Sequence, residues 1–96
     1  MPLFVFHGLD RSEGGDIRAR TRPAHLDWIA SLAPRIRIAG PMLAEDGVTP
    51  VGSLVALEAA DLSDACATFA RDPYAEAGLW ASAQVRAFNW IVGRPD

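Results

Sequence analysis

The order in which strand-like and helix-like patterns follow one another constrains this 96-residue chain more than any other feature. Strands show apolar residues at every second position or in short continuous runs, whereas amphipathic helices show them at every third and fourth position. In chain order, the predicted elements are a strand at Leu3–Phe6, a helix at Ala24–Ala33, strands at Arg35–Ile38 and Val51–Glu58, a helix from Leu62 to near Asp72, and a strand at Gln84–Val92. This βαββαβ order predicts an α+β, ferredoxin-like fold, in which two helices cover one face of a four-stranded antiparallel sheet.

Turn-forming residues set the predicted limits of these elements. Gly8 ends the first strand, Pro23 begins the first helix, and Gly40-Pro41 bends or ends the second strand. Asp46-Gly47 marks a turn between the second and third strands, which are therefore predicted to form a hairpin. The residue before Pro73 is disfavoured in a helical conformation, so the second helix is expected to end there.

The second helix has the clearest pattern. Asp61 is a suitable N-cap, and the apolar residues that follow have helical spacing: Leu62, Ala65, Cys66, Phe69 and Ala70. Cys66 belongs to this apolar stripe, so we expect it to pack in the core rather than to act as a nucleophile. A further short turn is expected at Tyr74–Gly78, with the glycine as its cap.

An excess of apolar residues predicts a partner subunit. A single domain spanning residues 1–96 buries only roughly 60–65% of its unfolded surface, yet 50% of its residues are hydrophobic. The first strand is apolar on both faces, and the last strand carries a second apolar cluster at Phe88 and Trp90–Val92. We therefore expect the sheet face without helices to be apolar as well, and to be covered by the same face of a second copy in a homodimer.

Charge excludes several classes of function. All nine cationic residues are arginines, and the absence of lysine excludes Schiff-base and lysine-nucleophile chemistry. The net charge of −3 and the lack of a cationic run argue against nucleic-acid binding. No apolar run approaches the ~20 residues of a membrane span. We expect a small-molecule ligand or substrate as the partner, with no nucleic acid and no membrane.

Cysteine and histidine usage bears on location and cofactors. Cys66 is the only cysteine, so no intramolecular disulfide forms, and the N-terminus lacks the features of a secretory signal. These observations predict a cytoplasmic protein. The two histidines lack metal-ligand spacing and no glycine-rich nucleotide motif occurs, so we predict no metal site and no cofactor.

His25 is the first candidate for chemistry. On a helical wheel it shares a direction with Ile29 and Leu32, which predicts an inward-facing ring. With Pro23 at the helix start, His25 lies in the first turn, where the helix dipole disfavours an imidazolium and favours a neutral general base. The alternative is a core histidine whose ring nitrogens are satisfied by backbone or by a carboxylate.

Four other residues each allow two interpretations. Asp72 either caps its own turn or reaches across to orient His25. His7, at the end of the first strand, is either an interface residue or a second acid/base group. Arg22 either binds an anionic group or is solvated, and Ser53 either presents a hydroxyl or marks a bulge.

Several short motifs are specific when they occur together. Over nearly the whole chain, their order and spacing resemble the YciI-like (YCII-related) family. The motifs are Arg-Pro-Ala-His-Leu at 22–26, Ala-Gly-Pro-Met at 39–42, Gly-Ser at 52–53 and Asp-Pro-Tyr-x-x-Ala-Gly-Leu at 72–79. Asp10 and Arg18 are similar to a family aspartate after the first strand and a family arginine before the histidine.

The resemblance implies a dimeric α/β barrel with a cleft in each subunit. By motif match, the catalytic residues that share this cleft are His25 and Asp72. For substrate contacts we predict the following residues: Arg22, Ser53, Tyr74, Met42 and His7. The chain departs from many family members in its His7-Gly8 pair and in its lack of lysine, so the substrate is not transferred.

Two functions follow from these observations. The first is a small cofactor-independent enzyme, in which His25 is the general acid/base and Asp72 orients it. It would act on a small cyclic or aromatic molecule by a dehydrochlorinase-like elimination or by isomerisation. The second is a non-catalytic ligand-binding or accessory module, in which the His25 and Asp72 pair is structural. A third possibility, a domain that serves only for oligomerisation, predicts that no cleft lies beside His25.

Overall fold

The structure, a computed structural model, describes residues 1–95. These residues form four strands and three helices. In chain order they are β1 (Leu3–Asp10), α1 (Gly15–Leu32), β2 (Ile36–Leu43), β3 (Pro50–Glu58), α2 (Leu62–Ala70), α3 (Pro73–Glu76) and β4 (Trp80–Phe88). The strands form one antiparallel sheet in the order β2-β3-β1-β4. This is the predicted α+β, ferredoxin-like fold, and the predicted β2–β3 hairpin is present.

The hydrophobic core lies between the sheet and the helices. Phe4 and Phe6 alternate along β1 and pair with Leu57 and Val55 of β3, so all four side chains face the same way. Phe69 of α2 packs on Phe6 with ring centroids 5.0 Å apart, and side chains of α1 complete the cluster. Burial of side chains of this size contributes roughly 1.5–3 kcal/mol each, so the helices are held on this face.

Helix α1 begins at Gly15, not at Pro23 as predicted. Proline lacks the N–H that would bond to the carbonyl of Ala19. Both residues are exposed, so water can satisfy that carbonyl and the helix continues through Pro23.

The longer helix changes the position of His25. This residue lies nearly three turns after Gly15 instead of in the first turn. Because the effect of the helix dipole falls off within the first turn, the dipole argument for a neutral imidazole does not apply.

Two strands are longer than predicted. β1 continues through Gly8, where a Cβ atom would lie 2.7 Å from the Phe6 ring, so a residue without a side chain is needed here. β2 continues through Gly40-Pro41. It is an edge strand, so a missing proline N–H need not remove a bond from the ladder.

The last strand lies earlier in the sequence than predicted. β4 runs from Trp80, opposite Asp10, to Phe88, opposite Leu3. It ends opposite the first residue of β1, so the apolar segment Trp90–Val92 lies beyond the paired region and follows the sheet. Gly78, with φ +77°, makes the turn into β4.

Helix α2 has the predicted cap and end, but a narrower buried stripe. The Asp61 carboxylate accepts a hydrogen bond from the Asp64 N–H at 2.8 Å. Ala65 and Phe69 are buried, one turn apart. Cys66 is exposed, so the prediction that it packs in the core is wrong. A rotation of about 100° per residue carries it away from the line through Ala65 and Phe69.

The opposite face of the sheet carries no helix, and much of it is apolar, as predicted. The large apolar side chains that point to this side and stay at least one-third exposed are Leu9, Ile38, Leu54 and Phe88. We call it the open face. Among residues 1–95, no helix combines the length and the apolar character that crossing a membrane requires.

Candidate active site

His25 and Asp72 are in direct contact. Nδ1 of His25 lies 2.8 Å from Oδ1 of Asp72, and the two side chains are only 12% and 5% exposed. An ionised carboxylate can only accept, so Nδ1 carries the proton of this bond and the lone pair of the neutral ring is on Nε2. The pair has the arrangement of a general base with its orienting carboxylate.

Asp72 also caps helix α3. Its Oδ1 accepts the backbone N–H of Tyr74 at 3.0 Å. One oxygen of Asp72 therefore caps its own helix and also contacts the ring on α1. The cap restrains the carboxylate, and so Asp72 can hold His25 in one orientation.

Aromatic contacts fix the plane of the His25 ring. Tyr74 stacks on it with centroids 4.1 Å apart and an interplanar angle of 17°. Trp28, one turn further along α1, lies at 5.9 Å. Burial raises the pKa of the Tyr74 hydroxyl, although the positive charge of Arg18 opposes this rise. Tyr74 therefore stays protonated at neutral pH.

A second polar cluster lies beside this pair. Arg18 donates to both oxygens of Asp10, from Nε and Nη2 at 2.8 Å each, and Nη2 also donates to Oγ of Ser53 at 3.1 Å. Burial works against the charged guanidinium, but the hydrogen bonds and charge of Asp10 outweigh it and raise the pKa of Arg18. The Arg18 guanidinium also lies over the Tyr74 ring, 4.9 Å from its centroid.

Arg18, Ser53 and Tyr74, together with His25, border a cleft of about 570 Å³ between α1 and the β2–β3 side of the sheet. This volume lies within the range of small-molecule sites, roughly 300–1,000 Å³. Polar or ionisable side chains line the cleft at six positions: Arg18, Arg22, His25, Thr49, Ser53 and Tyr74. The remaining lining residues are apolar or glycine, and no acidic side chain of residues 1–95 borders the cleft.

Three of the five predicted substrate contacts lie at this cleft, namely Arg22, Ser53 and Tyr74. Met42 does not, because its neighbour Pro41 pairs with Ser53 on the helix side and alternation turns Met42 towards the open face. There its Cε approaches Gly52. His7 also lies on the open face, in a separate hollow of about 240 Å³. The structure thus corrects the expectation that these two residues share a site with His25.

Within residues 1–95, no group of three or more His, Cys, Asp or Glu side chains is placed to hold a metal ion.

The model of the YCII-related domain matches residues 3–89. The chain belongs to the YCII-related family. It is 34% identical over 96 residues to Protein YciI of Escherichia coli and, equally, to Protein YciI of Shigella flexneri. Each match covers 93% of this chain and 98% of the relative.

Solved structures share the fold of this YCII-related protein. The 5-chloro-2-hydroxyhydroquinone dehydrochlorinase of Burkholderia phenoliruptrix, in complex with 2,5-dihydroxybenzoquinone, superposes with a TM-score of 0.82 at 28% identity, covering 95% of each chain. An antibiotic biosynthesis monooxygenase has a TM-score of 0.56 at 10% identity, over 95% of this chain and 99% of its own. A dimeric ferredoxin-like protein of unknown function from Jannaschia has a TM-score of 0.51 at 18% identity, over 94% and 100%. The last two show the fold alone.

Sequence reasoning did not place Arg18 in the cleft of this YCII-related protein. The signal was present, because Arg18, Arg22, His25 and Ile29 recur at intervals of four, three and four residues and share one helix face. Placing the helix start at Pro23 excluded Arg18 from that face. Thr49 and Pro50 of the β2–β3 hairpin were also missed, because only the packed hairpin brings them to the cleft.

Proposed function

We propose that the cleft is the active site of a small cofactor-independent enzyme, in which Nε2 of His25 takes up and returns a proton. The observation that carries the proposal is the 2.8 Å bond from Nδ1 of His25 to the nearly buried Asp72 carboxylate. The substrate class is a small cyclic or aromatic molecule, and the reaction is an elimination or an isomerisation.

The chemistry requires only one proton carrier. In an elimination, Nε2 removes a proton from the substrate, the freed electron pair forms the new double bond, and the leaving group departs with its own bonding pair. The carboxylate of Asp72 stabilises the imidazolium formed in this step. The stacked ring of Tyr74 keeps the imidazole plane unchanged while the proton is held. Nε2 then returns the proton to product or water.

The dehydrochlorinase from Burkholderia supports this reaction class. It is 28% identical to this chain over nearly the full length of both, and its complex holds 2,5-dihydroxybenzoquinone. A six-membered ring of that size fits within a cleft of about 570 Å³.

The test is chloride release from 5-chloro-2-hydroxyhydroquinone and from a panel of halogenated hydroquinones, and the isomerisation of small lactones is followed separately by absorbance. His25→Ala is expected to lower turnover by about 10²- to 10⁴-fold with an unchanged circular dichroism spectrum. His7→Ala is the matched control, because this second histidine lies outside the cleft. Turnover that is unchanged in His25→Ala contradicts the mechanism.

A second candidate function is a non-catalytic ligand-binding module. It is favoured by the double role of Asp72, which caps α3 and ties it to α1. In this case His25→Ala mainly lowers the free energy of unfolding, by about 1–3 kcal/mol, because a buried carboxylate loses its partner. Thermal melts of the His25 and Asp72 variants beside the turnover assay separate the two functions.

We further propose that the open face is covered by a second copy of this chain. The face has large apolar side chains that are at least one-third exposed, and a two-fold pair is the commonest closed assembly. Sedimentation is expected to show a dimer at micromolar concentration, and a stable monomer would contradict the proposal. The cytoplasmic location stays a prediction from the cysteine content.

A further inference from the structure

The basic side chains that line the cleft differ in whether a carboxylate contacts them. Arg18 is held by Asp10 through two hydrogen bonds, and His25 is held by Asp72. Arg22 lines the same cleft, yet it makes no hydrogen bond or ion pair with any residue between 1 and 95. The cleft therefore carries one cationic side chain without a protein partner.

The carboxylates nearest along α1 do not neutralise Arg22. Asp16 is paired with Arg20 at 3.0 Å, on the exposed side of the helix. Asp27 does not line the cleft and makes no ion pair with Arg22. An anion that enters the cleft thus meets a guanidinium with no competing carboxylate.

The position of Arg22 relates it to the proposed base. It follows Arg18 by four residues and precedes His25 by three, so the three side chains share one face of α1. Burial raises the pKa of Tyr74, and the charge of Arg22 is among the influences that oppose this rise. Arg22 and Tyr74 both line the cleft, and Tyr74 stacks on His25.

We propose that Arg22 binds an ionised oxygen of the substrate, so that the ligand class is a small apolar ring carrying a phenolate, enolate or carboxylate group. This inference rests on the proposed function and specifies its substrate. The guanidinium fork suits oxyanions, whereas Leu26, Ile29 and Val55 provide the apolar walls that a ring requires.

The same contact assists the proposed reaction. When His25 removes a proton from such a ring, negative charge spreads onto the ring oxygens. A cation beside those oxygens stabilises the charge as it develops. Arg22 is therefore assigned to substrate binding, and His25 keeps the role of base.

The probe is 2,5-dihydroxybenzoquinone, whose acidic hydroxyls ionise in neutral water, and its binding to the full chain is measured by calorimetry. Arg22→Gln is expected to weaken binding by about 10- to 100-fold, the usual cost of losing hydrogen bonds to a charged group. Arg22→Lys recovers part of the affinity. Arg20→Gln is the matched control, because it removes the same charge from the same helix outside the cleft.

A second pair of probes isolates the charge. Benzoate and benzamide have nearly the same shape, and only benzoate is ionised. The unchanged protein is expected to prefer benzoate, and Arg22→Gln is expected to lose this preference. Equal affinities of Arg22→Gln and Arg20→Gln for 2,5-dihydroxybenzoquinone overturn the inference. The inference is also overturned if neither 2,5-dihydroxybenzoquinone nor benzoate binds to the unchanged protein.

The outcome for His25 separates this inference from the proposed function. His25→Ala is expected to retain the binding of 2,5-dihydroxybenzoquinone within a few-fold while turnover is lost. Binding independent of Arg22, together with His25-dependent turnover, overturns the role of Arg22 and leaves the proposed function standing. If binding depends on Arg22 but no turnover depends on His25, the result supports the anion site and contradicts the proposed enzymatic function.

Discussion

The two histidines of the chain lie on opposite sides of the sheet. His25 is held between α1 and α3, bonded to Asp72 and stacked on Tyr74. His7 lies on the open face between Gln84 and Leu54 of the neighbouring strands, and its side chain makes no hydrogen bond with any residue of 1–95. Residues of α1 and of the α3 region surround the His25 ring. The His7 ring is supported only by the strands of the sheet.

The comparison shows what a covered face adds. A strand places a side chain among neighbours at fixed spacings in its own sheet. On the covered face, helices that pack beside one another bring together side chains that are distant in sequence, as Asp72 is brought to His25. The proposed proton transfer depends on such contacts, because the ring must be oriented and its charge compensated.

The largest expected effect tests that requirement directly. Asp72→Asn keeps the size of the side chain but removes the charge that stabilises the imidazolium. We expect turnover of 5-chloro-2-hydroxyhydroquinone to fall by about 10²- to 10⁴-fold. His7→Ala is expected to leave turnover unchanged. Equal losses of turnover in Asp72→Asn and His7→Ala would contradict the view that only the helix-covered face carries the reaction.

The next effect compares apolar side chains of β1 on the two faces. Phe6→Ala, in the core, is expected to lower the free energy of unfolding by about 3–5 kcal/mol, measured by urea denaturation. Val5→Ala, on the open face, is expected to cost less in a dilute sample. If the open face is buried in a dimer, the cost of Val5→Ala grows with protein concentration. A cost that is independent of concentration would contradict that burial.

A smaller effect compares a buried with an exposed ion pair. The side chains of Arg18 and Asp10 are 11% and 7% exposed, and those of Arg20 and Asp16 are 68% and 79% exposed. Asp10→Asn is expected to lower the free energy of unfolding by about 3 kcal/mol, because it leaves a buried charge uncompensated. Asp16→Asn is expected to cost less than about 1 kcal/mol. Similar melting temperatures for the two variants would contradict the burial of the first pair.

The smallest effect concerns the hairpin at the edge of the cleft. Hydrogen bonds from the Thr49 side chain and from the Thr49 and Val48 backbone lower the pKa of Asp46 from 3.8 to about 2. Because the folded pKa is lowered, this stabilisation is present above pH 3.8 and is lost as the pH falls through about 2. As the pH falls from 3.8 to about 2, the amide hydrogen of Thr49 should exchange faster in the unchanged protein, relative to the same amide in Asp46→Asn. An identical pH profile in the variant would contradict this assignment.

Local periodicity was sufficient for the element order but not for every boundary. The apolar content of Phe88 and Trp90–Val92 predicted the last strand too late, whereas β4 begins at Trp80 because it pairs along the whole of β1. Pro23 suggested a helix start, but an exposed proline is tolerated in α1. In both cases a contact or exposure set by tertiary structure outweighed the local signal.

The site was predictable only in part, for a related reason. His25 and Asp72 are 47 residues apart, and their pairing was expected from the family resemblance rather than from spacing. Met42 and His7 were predicted to contact the substrate, but both lie on the open face, since neighbouring residues of a strand point to opposite faces.

By itself, the sequence determined the βαββαβ order, the cap at Asp61, the apolar open face and the restriction of proton chemistry to histidine and carboxylates. These properties depend on local spacing and on residue type, which are visible along the chain. Tertiary structure alone decided that Arg18 is paired with Asp10 whereas Arg22 has no partner among residues 1–95. It also placed His25 at the cleft and His7 on the open face. Such differences depend on which elements pack together, because the energy of a charge is set by its spatial neighbours and by the water it loses.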